Sequence, residues 1–330
     1  MRCRCGSCRV VDELYPPPPW RWDQRAALWR YWVRDPVDAV KDIVPHHLMR
    51  LLPSQVVSDI GARLGQRAGR RAKAASRRAR ETLRLLRPDA SEVEIEALLA
   101  AHWAHVGRCF AEFSAQYRFL PEGRIAIEGG EIPLGIIASG RPLIIAGTHV
   151  GSWEMPPAAL SKLEIPFHAI FQALPNRFRM RIAFNMRNFG RRYAGPKASQ
   201  MILPTVAAPF QAHRLLETRE AALLYYVDEN WEGRVHAPAL GRPLRMEGNI
   251  MRAVRLAQLT GAAIVTAHGL RTGPGPRFRV VFGPEVRLGP PGRGRAGILE
   301  DIGAVDAAVE ALVRANPEQW FMLHAFRPDR

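Results

Sequence analysis

Inside the stretch RPLIIAGTHVGSWEMPPAAL, residues 141–160, a histidine and a carboxylate stand five positions apart, His149 and Glu154. The run PLIIAG (142–147) is apolar enough to be a buried strand, so His149 falls just past its end. Pro156 and Pro157 suit a helix only in its first turn, where backbone N–H groups have no intrahelical partner, and this places the helix start near Trp153 or Glu154. Gly151 lets the chain bend between strand and helix. One tight turn then carries both side chains. A carboxylate bonded to one imidazole nitrogen fixes the tautomer and stabilises the imidazolium formed when the other nitrogen takes a proton. The pair predicts a general base, His149, oriented by Glu154 and awaiting a hydroxyl.

Other chemistries lack their parts. The chain has no G-x-S-x-G elbow, no H-E-x-x-H and no G-x-x-x-x-G-K phosphate loop. His102, His105 and Cys109 fall at i, i+3 and i+7 of one helical pattern, and Cys3, Cys5 and Cys8 crowd the amino terminus. A zinc site wants four ligands, or three and a water, and CRCGSC has no second ligand pair at zinc-ribbon distance. These residues read as structural. No metal and no cofactor is expected.

The elements that must position His149 follow from apolar periodicity. Beyond residue 120, the short apolar runs PLIIAG, IPFHAIF (165–171), ALLYYV (222–227) and AAIVTA (262–267) alternate with helical stretches. That rhythm predicts an α/β fold with a largely parallel sheet covered by helices on both faces. In such sheets chemistry gathers outside the carboxyl ends of the strands. The polar residues just past the four runs are His149, then Gln172 and Asn176, then Asp228, then His268. Upstream, residues 91–117 form the clearest helix, with Ser91 and Glu94 as a capping box and Ile95, Leu98, Leu99, Val106, Phe110 and Phe113 at helical spacing.

These textures divide the chain into a disordered leader (1–21), a helical, membrane-facing amino-terminal region (22–120) and an α/β catalytic region (121–330). In WDQRAALWRYWVR, Trp22, Trp29, Trp32 and Val33 recur near one helical face among Arg25, Arg30 and Arg34, a pattern that suits a headgroup interface or packing on the main body. Arg63 to Arg87 is dense in basic residues, with Glu81 its one acid. The whole chain of 330 residues is 47% hydrophobic with net charge +16, which excludes a disordered protein and favours acidic partners. Without aromatics interleaved in the basic segment, nucleic acid is the least supported of these. No secretory core follows Met1, and no run approaches the 18 or so apolar residues of a spanning helix.

Five blocks, in order, resemble one family. IEGGEIPLGIIASGRPLIIAGTHVGSWE, LPNRFRMRIAFNMRNFG, LLYYVDEN, APALGRPLRMEGNIMRAVRLAQLTGAAIV and NPEQWFMLHAFR are similar to the blocks of the bacterial lipid A biosynthesis acyltransferases, which add lauroyl or myristoyl groups late in endotoxin assembly. The likeness runs from about residue 91 to 330. It implies a glycerolipid acyltransferase-like fold, with His149 and Glu154 in the catalytic places of an H-x-x-x-x-E motif. It also implies that Arg187 holds a phosphate or a developing oxyanion, and that Asp228 positions Arg187 or a substrate hydroxyl. Acyl carrier protein or acyl-CoA would be the donor, a glycolipid the acceptor, and the cytoplasmic face of the inner membrane the place of work, reached peripherally. The chain departs from the family at Glu229, where glutamine or histidine is usual, and at Ala239 and Leu240, where an aromatic pair is usual. Two alternatives stand beside this: acylation of another polar lipid by the same fold, such as a phosphatidylinositol mannoside or amino-acid lipid, or a non-catalytic basic protein binding membrane or RNA.

Overall fold

The computed structural model describes residues 25–172, 174–187, 200–203 and 205–329. The leader, Trp22 and Cys3, Cys5 and Cys8 lie outside the described residues. Helix α1 (Arg25–Trp29) continues through a π turn (Arg30–Arg34) into α2 (Asp35–Leu51), followed by α3 (Ser54–Arg71), α4 (Lys73–Leu86) and α5 (Glu92–Glu112). The capping box forms at the start of α5, with the Ser91 N–H donating to Glu94 at 2.7 Å and the Glu94 N–H to the Ser91 hydroxyl at 3.3 Å. The helix ends at Glu112, short of the predicted residue 117.

After these come β1 (Ile125–Glu128), α6 (Glu131–Ala138), β2 (Leu143–Gly151), α7 (Met155–Lys162), β3 (Phe167–Ile170), α8 (Arg177–Arg187), β4 (Gln200–Ile202), α9 (Ala208–Thr218) and β5 (Ala222–Tyr226). A two-stranded hairpin, β6 (Asn230–Trp231) and β7 (Arg234–Val235), precedes α10 (Gly248–Thr260), β8 (Ala263–Arg271), β9 (Phe278–Val286) and α11 (Gly294–Ala315). Two 3₁₀ turns, Pro317–Gln319 and Phe321–His324, follow.

The seven-stranded sheet has the order β1-β9-β8-β2-β5-β3-β4 and is parallel throughout except between β8 and β9. Strand β2, buried along nearly its whole length, lies between β8 and β5. The chain leaves β2 toward β3 on one side, and its later strand β8 pairs on the other, so the sheet's order reverses beside β2, the kind of switch point at which open α/β sheets place their ligands.

Alternate residues of β2 feed opposite cores, as the two-residue period of a strand requires. Ile144, Ala146 and Val150 pack with residues of α4, α5, α9, α10 and α11, while Leu143 and Ile145 pack with Met155, Ala159 and Leu160 of α7 and Ile136 of α6. Leu83 of α4 and Ile95, Leu99 and Trp103 of α5 belong to the same core as the sheet, so the amino-terminal helices brace the strand ends. The basic face of α4 is partly met by α5, where Arg80 pairs with Glu96 and Arg84 with Glu92.

Candidate active site

Register decides who stands beside His149. Gly147 of β2 is paired with Tyr226 of β5, and the Val227 N–H donates to the Gly147 carbonyl at 3.0 Å. Two residues further along each parallel chain, His149 and Asp228 meet. His149 Nδ1 lies 2.8 Å from Asp228 Oδ1, and the His149 backbone N–H donates to Asp228 Oδ2 at 2.8 Å. Trp320 supplies a third donor, its indole N–H reaching Asp228 Oδ2 at 3.0 Å. An antiparallel bridge between Val150 and Trp320 holds that tryptophan in place. Asp228 and Trp320 are fully buried, and the three donors occupy both oxygens of the carboxylate. With a carboxylate as partner, Nδ1 is the ring nitrogen that donates to Asp228, and Nε2 is the one not engaged by it. The imidazole is partly open, with 17% of its side chain exposed.

Among the described residues no hydrogen bond or ion pair joins Glu154 to His149. Its carboxylate receives Arg187 Nε at 3.1 and 3.2 Å and Arg187 Nη2 at 2.5 Å, together with the indole N–H of Trp153 at 3.1 Å. The expected His149–Glu154 hydrogen bond is thus replaced by His149–Asp228, and Asp228 holds the imidazole where it was expected to position Arg187 or a substrate hydroxyl. The cause is the turn itself. Gly151, at φ +72°, brings the chain so close to β8 that a Cβ there would sit 1.9 Å from the Gly269 carbonyl oxygen, and the Ser152 N–H donates to that same oxygen at 2.8 Å. Pinned this way, the chain enters α7 with Glu154 at its N-cap position, aimed at α8. Glu154 and Arg187 form a mostly buried ion pair, with Arg187 also lying over the Phe171 ring at 4.3 Å. One guanidinium nitrogen, Nη1, is buried without a hydrogen-bond partner among the described residues.

Tyr226 feels the charge of both carboxylates, Glu154 and Asp228. Its hydroxyl donates to the Trp153 carbonyl, its ring lies 4.8 Å from the His149 ring, and burial followed by the charge of Glu154 raises its pKa above the usual phenol value. Trp153, Phe321 and the exposed Phe110 of α5 complete an apolar wall: Trp153 and Phe321 centroids are 4.7 Å apart, and Phe110 is 5.8 Å from Phe321.

The other polar residues flagged in the sequence go elsewhere. His268 lies inside β8, whose strand continues to Arg271, so it is mid-strand and buried instead of standing past a carboxyl end. Asn176 donates to the Asp35 carbonyl and accepts the Phe178 N–H, starting α8 and tying it to α2. His102 and His105 diverge: His102 Nε2 faces His324 Nδ1 at 3.1 Å, while His105 Nε2 bonds the Gly151 carbonyl at 3.1 Å. Burial drives His105 down to about 3 and pushes Cys109 up to about 12, so both are neutral props beneath the Gly151 turn.

Residues 43–326 match the family described as bacterial lipid A biosynthesis acyltransferase. The chain belongs to that family. No curated protein matches it. For this lipid A acyltransferase family member, the residue that reading the sequence left unassigned is Trp320, inside NPEQWFMLHAFR. A tryptophan near a chain end reads as core, and only its bond to Asp228 marks it. Tyr226, within the apolar run ALLYYV, was hidden for the same reason.

Proposed function

We propose that the protein transfers a fatty acyl chain from an acyl thioester, on acyl carrier protein or coenzyme A, to a hydroxyl of a lipid A precursor or related glycolipid. The observation that carries this reading is the bond from His149 Nδ1 to the buried Asp228, which leaves the other ring nitrogen, Nε2, for the acceptor hydroxyl. His149 Nε2 takes the acceptor hydroxyl proton as its oxygen attacks the thioester carbonyl. Asp228 stabilises the imidazolium that results, as the carboxylate of a catalytic triad does. When the tetrahedral intermediate collapses, the C–S bond breaks and the departing sulfur takes the proton from His149. Arg187, fixed by Glu154 and with Nη1 unpaired among the described residues, offers a donor to the developing oxyanion or to a substrate phosphate. The ring wall of Tyr226, Trp153, Phe321 and Phe110 suits the apolar chain.

The same reading places the protein on an anionic membrane surface. Val33, Val37, Val40, Val44, Leu48 and Leu51 recur at three- and four-residue steps from the π turn along α2 and are all exposed, as are Trp29 and Trp32, with Arg34 and Lys41 on the same run. No helix among the described residues is long and apolar enough to cross a membrane. The opposite side of α2 is tied to α8 by Asn176 and by the Arg179–Asp42 pair, so a lipid-bound α2 would sit close to the helix that carries Arg187.

The deciding experiment follows acyl transfer from a radiolabelled acyl thioester to extracted glycolipid by wild type and His149→Ala. Turnover that vanishes with His149 supports the reading, and retained turnover removes it. Comparing the lipids of a deletion strain with wild type identifies the acceptor.

A further inference from the structure

Past Asp228 the chain enters the β6–β7 hairpin, and the segment from Arg234 to Glu247 closes over Ile250 of α10 and Ile302 and Asp306 of α11. Between them lies a shallow depression, partly open to solvent. Four basic side chains line it, Arg234, His236, Arg242 and Arg245, against two acids, Glu247 and Asp306.

Asp306 is already engaged: both its oxygens accept the Ala239 N–H, at 2.9 and 3.1 Å. Arg242 is a structural tie, donating to the Ala239 carbonyl at 2.9 Å and the Val235 carbonyl at 2.7 Å and stacking 4.2 Å over Phe326. Burial first, then the neighbouring charge of Arg234, brings Arg242 down to about 10. Arg234 and Arg245 make no ion pair among the described residues, and Arg234 Nε is buried without an acceptor. Burial and the nearby arginines hold His236 below its ordinary value, neutral at pH 7 and able to donate one ring N–H.

A buried guanidinium donor with no acceptor costs stability, and like charges held together repel. An anion relieves both. Arginine forks match a tetrahedral phosphate with two parallel N–H bonds each. The depression is also near the reacting centre. The His236 N–H donates to the Glu229 carbonyl at 3.2 Å, and Glu229 follows Asp228 directly. One Cα step of about 3.8 Å and one strand spacing of about 5 Å put His236 on the order of 9 Å from Asp228. That is roughly the width of one or two sugar rings.

We propose that Arg234 and Arg245, backed by the charge of Arg242 and by His236, bind a phosphate group of the acceptor whose hydroxyl is presented to His149. The assignment of the phosphate to the acceptor rests on the acyl-transfer reading of His149. The presence of an anion site does not.

The test titrates the full chain with glucosamine 1-phosphate and with inorganic phosphate, followed by phosphorus NMR line width, with thermal melts alongside. Wild type and His149→Ala should bind the sugar phosphate equally. Arg234→Gln/Arg245→Gln should bind it about tenfold or more weakly. Arg67→Gln/Arg70→Gln, which removes the same charge from the exposed face of α3, should bind as wild type. Arg245→Gln alone, at an exposed position, keeps the test open if the double variant melts early, and should weaken binding by a smaller factor. Tighter binding of the sugar phosphate than of inorganic phosphate supports the acceptor as the source. Equal affinities reduce the depression to a site for free anion and overturn the acceptor assignment. Undiminished binding by the Arg234/Arg245 variants, or no saturable binding by wild type, overturns the site itself. A His149→Ala enzyme that still turned over would sink the proposed mechanism and leave these binding results standing.

Discussion

Two carboxylates flank the histidine and are held in opposite ways. Asp228 is fully buried and accepts only hydrogen bonds from neutral or weakly polar donors, the His149 imidazole and amide and the Trp320 indole. Glu154 is matched with a full cation, Arg187, in a fork, with Trp153 as a further donor. A buried carboxylate without a cationic partner is costly unless it stabilises a charge that appears later, which suits a group that waits for an imidazolium. A carboxylate already neutralised by a guanidinium has nothing left to offer a forming cation, and is suited to fixing that guanidinium in place. The difference teaches that proximity along the chain and chemical partnership are separate properties here.

The comparison is broken or sharpened by substitution. The largest effect belongs to His149→Ala, expected to lower the acyl-transfer rate at least about 10²- to 10⁴-fold, the range for a lost general base. Its melting temperature should stay near wild type, because Asp228 keeps the His149 amide and Trp320 as donors. Next, Asp228→Asn keeps the shape and loses the charge, and kcat should fall about 10²-fold or more with little change in KM for the acceptor. Glu154→Gln should do the reverse, raising KM for the acceptor by freeing Arg187 while changing kcat less. If Glu154→Gln collapses kcat as far as Asp228→Asn does, the division of labour between the two carboxylates is wrong.

Trp320→Phe removes one donor from Asp228 and leaves two. A several-fold loss of kcat and about 1–3 kcal/mol of stability, read by denaturant melts, are expected. The smallest effect concerns a third carboxylate, Glu229, which accepts the Asn249 N–H at 2.6 Å and has its other oxygen buried without a partner. Burial raises it to about 8. Folding then favours the protonated form, so its contribution is present below the unfolded value of 4.5 and is lost as pH rises toward 8. Glu229→Gln should therefore gain on wild type in melting temperature as pH climbs from 5 to 8. A constant difference across that range would show that Glu229 is not protonated in the fold.

Much of this architecture is legible along the chain because its signals are local. The runs at 142–147 and 222–227 are continuous and apolar because strands of a parallel sheet are covered on both faces. The capping box at Ser91 and Glu94 spans three residues. The strand-to-helix turn after His149 announces itself through Gly151 and the paired prolines, and the helix does begin at Met155 with Pro156 in its first turn. His268 was misplaced because an apolar run does not say where its strand stops. AAIVTA reads as complete at 267, while hydrogen bonding to β2 and β9 carries β8 on to Arg271.

By itself, then, the sequence determined the α/β class, the strand that carries His149, which runs on to Gly151 and not to residue 147 as its apolar run suggests, and the presence of a titratable pair near that end. Which carboxylate serves the histidine was decided only by tertiary structure. His149 and Asp228 are 79 residues apart, Asp228 and Trp320 are 92, and Glu154 and Arg187 are 33. No local period links such positions. They meet because Gly147 registers with Tyr226 in the sheet, because Val150 bridges Trp320, and because the packed turn at Gly151 directs Glu154 toward α8, and each of these is set by how whole elements bury their apolar faces against one another.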